Sequence, residues 1–322
     1  MLLSTSLPIL FLALCAGPGL ARHDDKVIVG YVLDTPDSAS DSSQIDFGKI
    51  THLNIAFANP VDDTGTMSVP PNLQQIVDQA HRNHVRVLIS IGGGSVSEDA
   101  TGRQRYFGLI GDSNRPSFVR KLIDYVELYR LDGLDVDLEG PAINKDYAPF
   151  IDDLSARLKR GHKLLTAAVP GSYGGDQITS DAWGHFDLLN VMAYDATGPW
   201  EPNRPGPHSS FDFAKSSIAY WLGRGVPSSK LVLGVPFYGW GFGDAFTQGG
   251  YTFAEITAKY PGSESSDQVG NTIYYNGLPT IKAKAKYVLA QHLAGVMIWS
   301  LDQDAKGPLS LLAAIHDTLN AK

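Results

Sequence analysis

From Lys26 onward, short runs rich in Val, Ile and Leu alternate with amphipathic stretches, and eight such runs can be counted. They lie at roughly Val27 to Val32, Ile50 to Ala58, Val85 to Ile91, Gly133 to Leu138, Leu164 to Val169, Leu188 to Ala193, Leu231 to Phe237 and Gly295 to Trp299. A short apolar run bounded by polar residues is the signature of a strand buried on both faces. Between the runs the period changes. In Ser117 to Tyr129, Phe118, Leu122 and Val126 recur every four residues, with Ile123 and Tyr129 on the same stripe and Pro116 just ahead, which predicts a helix entered through a proline. Leu73 to His84, Tyr147 to Arg160, Phe211 to Gly223, Leu278 to His292 and Leu309 to Leu319 read the same way.

Strands separated by helices imply a parallel sheet, and eight such units in about 300 residues match a closed barrel. The expected fold class is α/β, a single (β/α)8 TIM barrel occupying residues 22–322. Several runs end in a polar or aromatic residue: Ser90 before Gly92 and Gly93, Glu139, Tyr194 with Asp195, Tyr238, Trp299. That edge is where such barrels place their chemistry. The chain contains no Ser/Gly, Pro-rich or charged linker. The stretch between Gly241 and Leu293 is longer than one helix needs and leaves room for a small elaboration.

Composition narrows the partners. A chain of 322 residues that is 43% hydrophobic can bury roughly 75% of its unfolded surface, which excludes disorder. Lys plus Arg number 26 and Asp plus Glu 34, a net charge of −8. That sign argues against nucleic acid and anionic membrane surfaces and leaves neutral substrates open. Leu2 to Leu14 is apolar, and small residues precede Arg22-His23-Asp24-Asp25. Residues 1–21 therefore read as a secretory signal, cut after Ala21 with Gly19 and Ala21 in the small-residue positions. A membrane anchor would need about 20 continuous apolar residues, and Pro8, Gly17, Pro18 and Gly19 interrupt this run. Lipoprotein processing at Cys15 is disfavoured by the bulky Leu14 before it. Cys15 is the sole cysteine, so a chain starting near Arg22 would carry neither disulfide nor cysteine metal site. A secreted monomer, free of the membrane after cleavage, is expected.

The segment Leu131-Asp132-Gly133-Leu134-Asp135-Val136-Asp137-Leu138-Glu139-Gly140 carries the chemistry. Residues two apart on a strand share a face, so Asp135, Asp137 and Glu139 point one way and Leu134, Val136 and Leu138 the other. With 34 acids in 322 residues, three alternating acids start with a chance of about 0.001 per position, and requiring apolar residues between them lowers it further. An edge strand with a solvated acidic face would give the same pattern. A parallel barrel has no solvated inner face, so carboxylates there must share protons, accept hydrogen bonds or perform chemistry. Stacked carboxylates raise one another's pKa, and a glutamic acid protonated near neutrality suits glycosidic cleavage. Glu139, nearest the mouth, is the expected donor. Asp137 is the expected anion opposite developing positive charge, and Asp135 holds the proton balance below. A Mg²⁺ site is the competing reading, but successive residues of one strand form a line and not a cage. No metal and no cofactor are expected.

This sequence resembles glycoside hydrolase family 18, the chitinase family, through the complete signature Asp132-Gly133-Leu134-Asp135-Val136-Asp137-Leu138-Glu139. Further matches run along the chain: Gly30-Tyr31, Asn54-Ile55-Ala56-Phe57-Ala58, Ser90-Ile91-Gly92-Gly93, Met192-Ala193-Tyr194-Asp195, Gly234-Val235-Pro236-Phe237-Tyr238-Gly239 and Gly295-Val296-Met297-Ile298-Trp299-Ser300. The resemblance implies an endo-acting hydrolase of β-1,4 bonds in chitin or N-acetylglucosamine oligosaccharides, working by substrate-assisted retention. It implies catalytic roles for Glu139, Asp137, Asp135 and Tyr194. Tyr31 and Ser90 would bond Asp135, Asp195 would contact the sugar and Trp299 would floor it. Phe57, Met192, Tyr238 and Trp240 complete the expected substrate-binding set, with Trp200 beside them. Without the family, Trp299 reads as core, Tyr194 as a satisfied buried hydroxyl, Ser90 as a turn residue and the loop aromatics as packing.

Two departures matter. Trp240 stands where family members often carry Arg, so stacking would replace a charged contact. The roughly 50 residues between the seventh and eighth runs are too few for the complete insertion domain of some chitinases, so a shallow cleft is expected. An endo-β-N-acetylglucosaminidase acting on N-linked glycans uses the same chemistry, and a chitin-binding lectin on an inactive barrel is a third reading.

Overall fold

The computed structural model describes residues 26–35, 42–171, 174–270 and 272–321; the secretory-signal reading, with Cys15, lies outside them. Eight parallel strands form the centre: Val27–Leu33, His52–Ala56, Arg86–Gly92, Gly133–Asp137, Leu164–Pro170, Leu188–Met192, Leu231–Pro236 and Gly295–Trp299. Each pairs with its sequence neighbours, and the first closes on the eighth through Gly30 opposite Ile298. The expected (β/α)8 barrel is the fold. Among the described residues no helix is long and apolar enough to cross a membrane.

Alternation along each strand separates two apolar layers. Leu134, Val136 and Leu138 join the outer layer with Phe118 and Leu122 of the helix Arg115–Leu128 and Phe150 and Leu154 of the helix Tyr147–Arg160. Each such side chain stabilises the fold by roughly 1.5–3 kcal/mol when fully buried. A smaller cluster fills the lumen: Val29, Tyr31, Ala56, Tyr194, Val232, Tyr238 and Met297. The odd members of the fourth strand therefore face this lumen.

The helix expected over Phe211 to Gly223 forms with those bounds, and those expected over Leu278 to His292 and Leu309 to Leu319 form, slightly shorter, as Leu278–Ala290 and Leu311–Leu319. The helix Ala100–Ile110 was not expected: Gly102 and Gly108 interrupt its stripe, and it relies on Asp99, whose carboxylate caps the amides of Thr101 and Gly102. Between the seventh and eighth barrel strands, Tyr238–Gly241, Tyr251–Thr252, Gln268–Val269 and Ile273–Tyr274 form an antiparallel sheet. A short helix, Phe253–Lys259, starts from a capping box between Thr252 and Glu255. This is the small elaboration for which the sequence left room.

Backbone approach at the end of the third strand explains the Gly92-Gly93 pair. Gly92 has φ +97° and a Cβ there would sit 2.3 Å from the Asp137 carbonyl oxygen. Gly93 has φ +89°, and its Cβ would meet the Phe57 ring at 2.6 Å. The closeness lets the Gly93 amide donate to the Asp137 carbonyl at 2.7 Å, which fixes the top of the fourth strand. Gly92→Ala is therefore expected to lower stability by roughly 2–4 kcal/mol, combining a strained φ with a backbone clash. Urea denaturation checks this, and a variant as stable as the parent would refute it.

Candidate active site

Asp135, Asp137 and Glu139 climb the lumen face of the fourth strand. The backbone stays extended through Glu139, at φ −118° and ψ 146°, so the alternation continues past the last ladder bond. Exposure rises along the file: Asp135 is 0% exposed and Asp137 4%, whereas Glu139 is only partly buried. Their hydrogen-bond environments differ more sharply than their burial.

Asp135 receives four donors. Its Oδ2 accepts from the Tyr31 hydroxyl at 2.7 Å and the Ser90 hydroxyl at 2.8 Å; its Oδ1 accepts from Thr166 Oγ1 at 2.5 Å and Asn190 Nδ2 at 3.4 Å. Strand register brings the nearer partners together, because Ser90 and Thr166 sit directly opposite Asp135 on the flanking strands. Burial raises the Asp135 pKa and these four bonds oppose it. Asp137 has no such support: its Oδ1 is buried without a partner among the described residues. Burial, then the charges of Glu139 and Asp135, push its pKa well above the ordinary carboxylate range. Of the two, Asp135 therefore holds the negative charge more readily. Glu139 is raised from 4.5 to about 7, chiefly by burial and then by the charges of Asp195 and Glu98.

Beside the file, Glu139, Pro170, Gly171, Met192, Tyr194, Asp195, Ala196 and Phe213 line a cavity of about 350 Å³. Tyr194 is nearly buried, and among the described residues its hydroxyl meets only the Met297 sulfur, at 3.8 Å. Asp195 adopts a left-handed φ of +59° at the rim. Its Oδ1 accepts from Tyr238 OH at 2.7 Å and Trp240 Nε1 at 2.8 Å, and His208 Nδ1 lies 3.2 Å away. Burial pushes its pKa upward, but the bond and charge of His208, with the Trp240 and Tyr238 bonds, bring it below the ordinary value. On the opposite side Trp299 packs against Phe57, with centroids 5.9 Å apart, and against Tyr31 at 5.4 Å.

The structure thus gathers Glu139, Asp137, Asp135, Tyr194, Met192 and Asp195 in one region. Tyr31 and Ser90 are fully buried with their hydroxyls on Asp135, the partner expected for both, and they support that carboxylate. Tyr238 is also buried, with its hydroxyl on Asp195. Trp240 spends its indole N–H on Asp195 and meets Trp200 edge to face at 5.5 Å. Trp200 is 57% exposed. Thr166, Asn190 and His208 were not singled out from sequence. The first two are lone polar residues within apolar strands, a visible anomaly; His208 lies in a loop with no local pattern to mark it.

The family model for Glycosyl hydrolases family 18 matches residues 27–304. The chain belongs to this family. Among solved structures, the family 18 chitinase ChiB of Flavobacterium johnsoniae is 40% identical with a TM-score of 0.86, covering 92% of this chain and 94% of that one. A chitinase from Cycas revoluta, solved in complex with (GlcNAc)3, is 26% identical with a TM-score of 0.75, covering 91% and 99%. A chitinase-like effector of Moniliophthora roreri is 31% identical over 279 residues; the match takes in 74% of this chain and 66% of that relative's length. Within this family 18 barrel the signature acids occupy the lumen face of the fourth strand.

Thr166→Val removes the 2.5 Å donor to Asp135 and leaves a buried carboxylate short of a partner, at a cost of roughly 1–3 kcal/mol. The lost bond favoured the anion, so the Asp135 pKa climbs further in the variant. The stability gap to the parent should widen as pH rises from 4 to 8, measured by urea denaturation at each pH. A gap independent of pH would show that Thr166 does not serve the charge.

Proposed function

We propose that this family 18 protein is a secreted chitinase that cleaves β-1,4 bonds within N-acetylglucosamine chains by substrate-assisted retention. The observation that carries the reading is Glu139: an acid held near pKa 7, extended into the mouth and sharing a cavity with Tyr194. A donor for glycosidic cleavage needs both protonation near neutrality and access to the leaving oxygen. The (GlcNAc)3 named in the Cycas revoluta complex supports the substrate class. The apolar leader ahead of Arg22 supports secretion.

In this mechanism Glu139 gives its proton to the glycosidic oxygen as the C1–O bond breaks. The carbonyl oxygen of the substrate's own 2-acetamido group attacks C1, forming a cyclic oxazolinium ion. Asp137, whose Oδ1 has no partner among the described residues, accepts the acetamido N–H and balances the positive charge. The Tyr194 hydroxyl, in weak contact with the Met297 sulfur, turns to the acetamido oxygen and aligns it for attack. Water then attacks C1 and yields its proton to Glu139 as the bond from C1 to the acetamido oxygen breaks and the acetamido group re-forms; two inversions give net retention. Asp135 keeps its four donors and its charge beneath the pair. Trp299, braced by Phe57 and Tyr31, supplies an apolar floor for the ring. Among the described residues only a small antiparallel sheet and the short helix Phe253–Lys259 stand between the seventh barrel strand and the helix Leu278–Ala290, in place of a complete insertion domain, which supports binding in the middle of a long chain.

Glu139→Gln should lower kcat by roughly 10²–10⁴-fold while oligosaccharide binding, followed by calorimetry, persists. Products from a hexamer of N-acetylglucosamine should appear first as β-anomers, with trimers and tetramers among the earliest. Initial α-anomers, or full turnover by the Gln variant, would end this reading.

The pH profile gives a separate check. The donor must be protonated, so kcat should fall above about pH 7, approaching tenfold per unit as Glu139 ionises. Asp195→Asn removes a charge that raises the Glu139 pKa, so the alkaline limb should move to lower pH. A limb that stays in place would remove Asp195 from that role.

A further inference from the structure

Away from the acid file, Lys284 is a fully buried ammonium on the helix Leu278–Ala290. It makes no salt bridge among the described residues, and burial depresses its pKa to about 7, with Asp267 opposing. Its Nζ donates to Ser209 O at 2.8 Å, Ser209 Oγ at 2.7 Å and Asn276 Oδ1 at 2.7 Å. Two of the three bonds converge on one serine. A buried charge kept on neutral oxygens is costly, which directs attention to what that serine holds.

Ser209 joins the helix to the rim. Its hydroxyl donates to the Ala193 carbonyl at 2.6 Å, immediately before Tyr194 and Asp195. Its chain neighbour His208 is fully buried, with Nδ1 at 3.2 Å from Asp195 Oδ1 and 3.4 Å from the Asp195 amide nitrogen. The Ala196 amide donates to His208 O at 3.0 Å, closing the loop of residues 197–207 at its base. Asn276 Nδ2 adds a bond to Ser209 O at 2.9 Å. Asp195 holds a left-handed φ of +59°, which a non-glycine residue keeps only where its surroundings over-determine it.

We propose that Lys284 is a positioning residue for the catalytic rim: by clamping Ser209 it fixes His208 and the Ala193 carbonyl, and through them holds Asp195 against Trp240 and Tyr238. The sequence offers no hint of this, because Lys284 lies 89 positions beyond Asp195, on an amphipathic helix where a lysine reads as a solvated face. The effect on turnover rests on the chitinase reading above; the effect on Asp195 does not.

The test compares Lys284→Met and Ser209→Ala with the parent. The Trp240 indole N–H, assigned in ¹H–¹⁵N spectra through Trp240→Phe, reports its bond to Asp195. In both variants that resonance should move toward the position of a solvent-exposed indole, and its exchange with water should quicken. On N-acetylglucosamine oligomers kcat should fall by roughly 10- to 100-fold from misplacement of the rim, and the alkaline limb should shift down by about half a pH unit as the Asp195 charge leaves Glu139. A merely structural lysine would alter melting temperature and leave the indole resonance and the limb unchanged; a folded Lys284→Met protein of that kind overturns the proposal. Should that variant not fold, Ser209→Ala decides by the same two readouts. If the parent itself fails to cleave the oligomers, the functional reading falls, and the indole resonance still decides the positioning role.

Discussion

Three carboxyl groups on one face of one strand cannot all be charged inside a barrel, and the rest of the site follows from that restriction. The lumen excludes water, so each further anion meets both a desolvation cost and the field of those already present. The protein resolves the conflict by unequal support. Among the described residues Asp135 receives four donors and Asp137 Oδ1 none, and Glu139 reaches the mouth. Asp135 holds its charge most readily, Glu139 keeps its proton beside the cavity, and Asp137 Oδ1, without a partner among the described residues, is left for a donor that a substrate brings. A substrate that brings an N–H to Asp137 changes the balance locally without disturbing Asp135.

Alternation makes this arrangement compatible with a stable fold. Leu134, Val136 and Leu138 project outward into the layer shared with the surrounding helices. The strand is therefore anchored by the side that does no chemistry. On the sixth strand the same division sends Leu189 and Val191 to the outer layer and turns Asn190 to the file. A strand held this way can tolerate polar groups on its inner face, provided neighbouring strands supply their hydrogen bonds.

That proviso marks the boundary of what could be read from the chain. The eight apolar runs were legible because a buried parallel strand needs no knowledge of its neighbours to look apolar. The acid file was legible because period-two alternation is local. The donors were not: Thr166 faces Asp135 only through strand register, and Asn190 reaches across from another strand. Likewise, Ser90 and Tyr31 lie beside Asp135 as expected, but their complete burial depends on closure of the barrel. Lys284 and His208 are the extreme case. Their local sequence suggests a helix surface and a loop, and only tertiary packing buries them.

Trp240 shows how one substitution at the rim acts through electrostatics. An arginine there would place a positive charge beside Asp195 and cancel much of its field. An indole N–H donates a hydrogen bond of 2.8 Å while adding no charge, so Asp195 is oriented yet remains a negative neighbour to Glu139. A neutral donor at this position separates two tasks that a guanidinium combines, holding the carboxylate and neutralising it. The consequence is a donor acid kept protonated from both sides, by burial among the barrel walls and by an anion that the protein fixes beside it.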